Sequence, residues 1–117
     1  MKNSNRQRPT ILVVENDDWI GAGMKNAVEQ EGYRTVEAIN VAEALQFAER
    51  EPPDLILTEE ELPAFAALMA RLREHPTLSN IPVVIVNPDA ESGARYGDAY
   101  LLADYADIES FLAVLRY

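Results

Sequence analysis

The chain has 117 residues, 48% of them hydrophobic and 26% charged, which suits one domain with a single packed core. It contains no cysteine, which excludes disulfides, thiolate metal sites and cysteine nucleophiles, and no apolar run approaches the roughly 20 residues of a membrane span. The formal net charge is −10, and Lys2, Arg6 and Arg8 all fall in the first nine residues, so seven bases face twenty acids from Thr10 onward, a net −13. A body of that sign repels phosphate backbones, so nucleic-acid binding by the ordered domain is not expected. No basic-then-apolar leader opens the chain, and the cytoplasm is the default compartment.

Residues 1–9 are polar, lack periodicity and end in proline; they read as a disordered basic leader, with one folded domain over 10–117. Ile11 to Val14 is a short apolar run suited to a strand buried on both faces, and the acids that follow it suit a helix start. From Trp19 the pattern is helical: Ile20, Met24, Ala27 and Val28 share a face, and Gly32 is the stop. Gly21 and Gly23 each cost such a helix about 1 kcal/mol relative to alanine, so tertiary packing must hold it. Arg34 to Ile39 reads as a second strand. Asn40 with Glu43 forms a capping-box pattern ahead of Val41, Ala44, Leu45 and Ala48, and Pro52-Pro53 ends that helix.

Leu55 to Thr58 is a third strand. Pro63 precedes a helix bearing Leu68, Met69 and Leu72, which His75-Pro76 closes, and His75 reads as a surface residue. Val83 to Val86 is a fourth strand and Tyr100 to Leu102 a fifth. Ile108, Phe111, Leu112 and Leu115 form the stripe of a last helix. Strands alternating with helices predict a doubly wound α/β fold, a parallel sheet covered on both faces. In such sheets sites form beyond the carboxyl ends of the strands. Those positions here are Glu15 to Asp18, Glu59 to Glu61, Asn87 to Asp89 and Ala103-Asp104. Acids converging there suit a cation or acid–base site, and equally suit plain helix N-termini, where the dipole favours them.

These residues resemble the receiver domain of bacterial two-component response regulators. The likeness rests on Ile11-Leu12-Val13-Val14-Glu15, Glu31-Gly32-Tyr33, Glu43-Ala44-Leu45, Pro53-Asp54-Leu55-Ile56-Leu57, Pro63 and Ile81-Pro82-Val83-Val84, and spans residues 10–117. It implies a flavodoxin-like five-stranded (βα)5 fold in which an aspartate after the third strand accepts a phosphoryl group with Mg²⁺ as cofactor.

At the family's functional positions this chain departs. The paired metal-holding acids match Glu15 and Asn16, with Asp17 one step too far along. The phospho-acceptor matches Glu59, whose extra methylene displaces the oxygen by roughly 1.5 Å. The Ser/Thr that reads the phosphoryl group matches Asn87, and the lysine that clamps it matches Ala103; the only lysines in the chain are Lys2 and Lys25. Phosphoryl transfer needs positioning and cations, and this pocket offers acids, an amide and a methyl group. The connection after Pro63 is shortened, and Asn87 to Tyr100 is short enough that the fourth helix should be a single turn or missing. Gly93 and Gly97 favour loop there.

The expected protein is therefore a degenerate pseudo-receiver, not an enzyme and without a cofactor. It would signal through a protein partner or a second copy of itself, since no output domain follows Tyr117. Weak cation candidates are Glu15 and Glu59; if they meet without a cation, one should have a raised pKa. Tyr100 matches the family's aromatic switch position, with packing at a strand end as its expected role. Trp19 is an interface candidate at the pocket rim, set against partial burial on a neighbouring loop. The alternative is a phosphorelay regulator that takes a phosphoryl group at Glu59 with Mg²⁺ and a shifted Asp17. A small hydrolase is disfavoured for want of a nucleophile–base pair.

Overall fold

In a computed structural model the apolar runs assemble into one sheet with helices on both faces. The structure describes residues 9–89, 95–97 and 99–109. The strands are β1 (Thr10–Val14), β2 (Arg34–Ala38), β3 (Leu55–Glu59), β4 (Val83–Val86), β5 (Arg95–Tyr96) and β6 (Ala99–Leu102). Their spatial order is β2-β1-β3-β4-β6-β5, with every pairing parallel except β5 on β6. The five parallel strands give the flavodoxin-like, doubly wound order expected from the sequence. The antiparallel edge strand β5 was not expected; its two residues are too few to show an alternation.

Alternate residues of each strand feed two separate cores. Leu12, Ile56, Val83 and Ile85 pack toward α2 (Val41–Arg50) and α3 (Phe65–Glu74). Ile11, Val13, Leu57, Val84 and Leu102 face α1 (Asp18–Gln30), meeting Met24 and Val28. Burial on both sides is why these runs are apolar without alternation. Thr58, fully buried in β3, satisfies its hydroxyl by donating to the Val14 carbonyl oxygen at 3.2 Å.

The helix starts follow local chemistry. Asp17 caps α1, its Oδ1 accepting from Trp19 N at 2.9 Å and Ile20 N at 3.0 Å. The expected capping box of α2 is present: Asn40 Oδ1 accepts from Glu43 N at 2.8 Å, and Glu43 Oε1 from Ile39 N at 2.9 Å. α3 has no side-chain cap, and Ala64 before it takes a left-handed φ of 63°. That conformation costs an alanine about 1 kcal/mol, and it lets the shortened β3–α3 connection turn sharply after Pro63.

Several boundaries differ from expectation. The Pro9 carbonyl accepts from Arg34 N at 3.1 Å, so Pro9 is tied to the sheet, while residues 1–8 of the leader lie outside the described residues. Among the described residues between β4 and β5 there is no helix; Gly93 and its neighbours 90–94 lie outside them. A 3₁₀ turn, Tyr105–Asp107, precedes the buried Ile108; Phe111, Leu112 and Leu115 of the expected last helix are outside the described residues. His75 is more than a surface residue. Its Nδ1 accepts from Thr77 N and Leu78 N at 3.1 and 3.2 Å, capping the 3₁₀ turn Leu78–Asn80, and its Nε2 faces Glu49 at 3.3 Å.

Gly23, unfavourable in α1 on propensity alone, has a packing reason. A Cβ there would fall inside the Tyr105 hydroxyl, which rests on the helix. Alanine ordinarily improves a helix interior by about 1 kcal/mol over glycine. Gly23→Ala is expected instead to destabilise by about 1 kcal/mol, read from the urea midpoint, and adding Tyr105→Ala should recover part of the helix gain. A Gly23→Ala chain that melts higher than its parent would show that Tyr105 does not rest there.

Candidate functional site at the carboxyl edge of the sheet

Strand register brings the singled-out residues together. Val14 pairs with Thr58, so Glu15 and Glu59 stand side by side one residue beyond. Glu59 pairs with Val86 and Val86 with Leu102, which sets Asn87 next to Glu60 and Ala103 next to Asn87. Asn87 N donates to Leu102 O at 2.9 Å, and Glu60 N to Val86 O at 3.2 Å, locking this edge.

Glu15 is only 4% exposed, an unusual place for a carboxyl without a cation. Its Oε1 accepts from Asn16 N at 2.8 Å and Asp17 N at 3.1 Å, holding the loop that leaves β1. Its buried Oε2 receives no N–H or neutral O–H donor. The group that meets Glu15 is the carboxyl of Glu59. Burial, then the Glu15 charge, then the hydrogen bond to Glu15 push the Glu59 pKa from an ordinary 4.5 to about 7, with Glu61 and Asp17 adding to the rise. Near neutrality Glu59 can therefore hold a proton beside the Glu15 carboxylate. The raised pKa expected of a Glu15–Glu59 meeting falls on Glu59.

The other positions turn elsewhere. Asn16 is exposed, and Asp17 spends Oδ1 on the α1 cap. Asn87 Nδ2 donates to Glu60 Oε1 at 2.6 Å, while its Oδ1 accepts from Asp89 N at 2.9 Å. In the acidic run after β3, Glu59 and Glu60 are both half-buried, and Glu61 alone is exposed. Ala103, one residue beyond β6, brings no charge to this edge. Trp19, for which partial burial was an alternative, is 86% exposed at the start of α1. Tyr100 shares the sheet face of Leu102 and is exposed over about a third of its surface.

Mg²⁺ takes near-octahedral oxygen coordination, with carboxylates and several waters. Among the described residues no group of three or more His, Cys, Asp or Glu side chains could hold a metal ion. With one Glu15 oxygen taken by two backbone N–H groups, one Asp17 oxygen capping its helix, and no third acid grouped with them, this donor set does not fit the ion. Among the described residues no helix is long and apolar enough to cross a membrane.

The model of the response regulator receiver domain matches residues 11–107. The chain belongs to this family of signalling modules. It is 31% identical over 86 residues to the polar-differentiation response regulator DivK of Brucella anthropi, spanning 72% of this chain and 70% of that protein. Among solved structures it resembles the signal receiver domain of a signal-transduction histidine kinase from Syntrophus aciditrophicus. There the identity is 25% and the TM-score 0.74, over 92% of this chain and 89% of that one. The receiver domain of a Pseudomonas aeruginosa sensor histidine kinase, whose active-site cleft coordinates a magnesium ion, shares the fold at 22% identity. Its TM-score is 0.77, over 92% of this chain and 96% of that one.

Proposed function

We propose that this receiver domain signals by protein–protein contact without passing a phosphoryl group, its pocket held in one state by its own side chains. The observation that carries this reading is that Glu15, almost fully buried, and Glu59 stand side by side past the ends of β1 and β3, the positions that match the family's metal and acceptor carboxylates, with the Glu59 pKa pushed up to about 7. The bond from Asn87 to Glu60 supports it. A link across the β3 and β4 loops that needs no added phosphate leaves little for phosphorylation to change. At the clamp position Ala103 offers no charge to offset a phosphoryl group.

Contact with a partner falls most naturally to the exposed Trp19 and Ile39, large apolar side chains at the same edge of the sheet. Glu15, Asn16, Asp17, Glu59, Asn87 and Ala103 then serve as a structural pocket, with Mg²⁺ playing no part. The test is incubation with acetyl phosphate, and separately with beryllofluoride, each with Mg²⁺. No Mg²⁺-dependent gain in intact mass and no change in Trp19 fluorescence are expected. Stoichiometric modification that vanishes in Glu59→Ala would establish phosphoryl acceptance at Glu59 instead.

A further inference from the structure

α2 stops at Arg50 because Glu51 is followed by Pro52 and Pro53, which lack the N–H groups that would continue the helix. The amino-terminal halves of β1 and β2 are left without a helical turn above them. A half-open cavity of about 160 Å³ results, walled by Leu12, Val36, Phe47 and Pro53, with Arg50 and Glu51 at its charged side. It lies at the end of β1 opposite to Glu15, roughly 16 Å away by strand rise, and shares no residue with the carboxyl pair.

The charges at this cavity are specific. Arg50 lies over the Phe47 ring, 5.8 Å from its centroid, and no carboxylate pairs with it among the described residues. That is unusual in a chain of net charge −10. Glu51 is within 4.0 Å of Arg34, and Asp54 accepts from Thr10 N at 2.8 Å, so the nearest acids have partners of their own. The guanidinium fork thus remains available beside an apolar hollow. A fork of this kind binds a carboxylate through two parallel hydrogen bonds. A cavity of roughly 150 Å³ lined by apolar side chains is enough to take up benzene.

We propose that this cavity is a binding site for a small monocarboxylic acid with a compact apolar body, about the size of a benzene ring. The apolar part packs against Leu12, Val36 and Phe47, and the carboxylate is held by Arg50. The site is independent of the pocket at the carboxyl edge, and its occupancy would stiffen the end of α2 against the sheet.

Phenylacetate is the probe, titrated into the ¹⁵N-labelled full chain and followed by amide shifts. Saturable shifts at Thr10, Phe47 and Arg50 are expected with a Kd on the order of 1 mM, the range a ligand of roughly ten heavy atoms reaches. Phenylacetamide, equal in shape but neutral, should bind about tenfold more weakly, and Arg50→Gln should erase that difference. Arg50 is exposed at a helix end, and unchanged Glu15 and Asn16 amides in the variant confirm an intact fold. Unsaturated shifts up to about 20 mM, well beyond that affinity, overturn the proposal. Equal binding of the acid and the amide, or an Arg50→Gln chain that still prefers the acid, overturns it as well.

Discussion

Raising the pH from 4.5 to above 7 is expected to cost the folded chain about 1–2 kcal/mol through Glu59 alone. The folded-state pKa, about 7, lies above the ordinary value of 4.5 because ionising Glu59 means charging a half-buried carboxyl against Glu15. Below pH 4.5 both folded and unfolded chains hold this proton, and no penalty exists. Between 4.5 and 7 the unfolded chain releases it first, so stability falls through this window and levels off above it. Partial exposure of Glu59 to water screens the penalty, which is why the expected cost is well under a full conversion of the shift. The chain's other acids also add repulsion as pH rises, so the measurement is a comparison. Urea unfolding of the parent and of Glu59→Gln should diverge progressively between pH 4.5 and 7, the variant being more stable by about 1–2 kcal/mol at about pH 8. Parallel pH profiles for the two chains would show that Glu59 ionises as an ordinary carboxyl.

Glu15→Ala and Glu15→Gln are expected to move stability in opposite directions at pH 8. Alanine removes the acceptor of two backbone N–H groups and the packed stem of a side chain that is 4% exposed. Loss of both should destabilise by about 2–4 kcal/mol. Glutamine keeps an oxygen for Asn16 N and Asp17 N and turns an amide N–H toward Glu59, replacing a repelling charge with a donor. It should stabilise by about 1 kcal/mol at pH 8, and it should bring the Glu59 pKa, followed by carboxyl ¹³C shifts, down toward the ordinary range. A Glu15→Gln chain less stable than its parent at pH 8 would mean that the two carboxyls do not meet. Because both variants touch the same pair, combining Glu15→Gln with Glu59→Gln should yield less than the sum of their separate gains.

The two predictions bear on function through the same geometry. A pocket that admits a divalent ion needs its carboxylates ionised. Here burial and the neighbouring Glu15 charge favour the protonated form of Glu59. With Asn87 bonded to Glu60 at 2.6 Å, the loop after β4 is drawn to the same place. The reading of a phosphate-independent signalling module rests on these contacts, and the phosphorylation test decides it.

Most of the fold was legible from residue order. The runs Ile11–Val14, Leu55–Leu57 and Val83–Val86 announce strands buried on both sides, because a surface strand would alternate. Asn40 and Glu43 announce the start of α2, because their hydrogen bonds span three or four residues and depend on nothing distant. The meeting of Glu15 and Glu59 was legible in part: parallel strands of a receiver-like sheet end together, so residues just past their ends become neighbours. Which carboxyl holds the proton was not legible, since that depends on burial.

What the tertiary structure alone decided are the contacts between distant segments. Asn87 reaches Glu60 across 27 positions of sequence, and no local pattern marks an amide for that bond. Asp17 caps α1 with Oδ1 while its charge still reaches Glu59, and that double placement depends on how β1 and β3 end side by side. Trp19 stays in water because none of the described residues packs over it at the start of α1, although its hydrophobicity alone suggested cover. Gly23 is required by the Tyr105 side chain, which reaches α1 from more than eighty residues away. The sequence by itself determined the five parallel strands, the α2 capping box and the charge, because these depend on periodicity, short-range hydrogen bonding and composition. Pairings, burial and cavities depend on which segments the sheet brings side by side, and only the folded chain settles those.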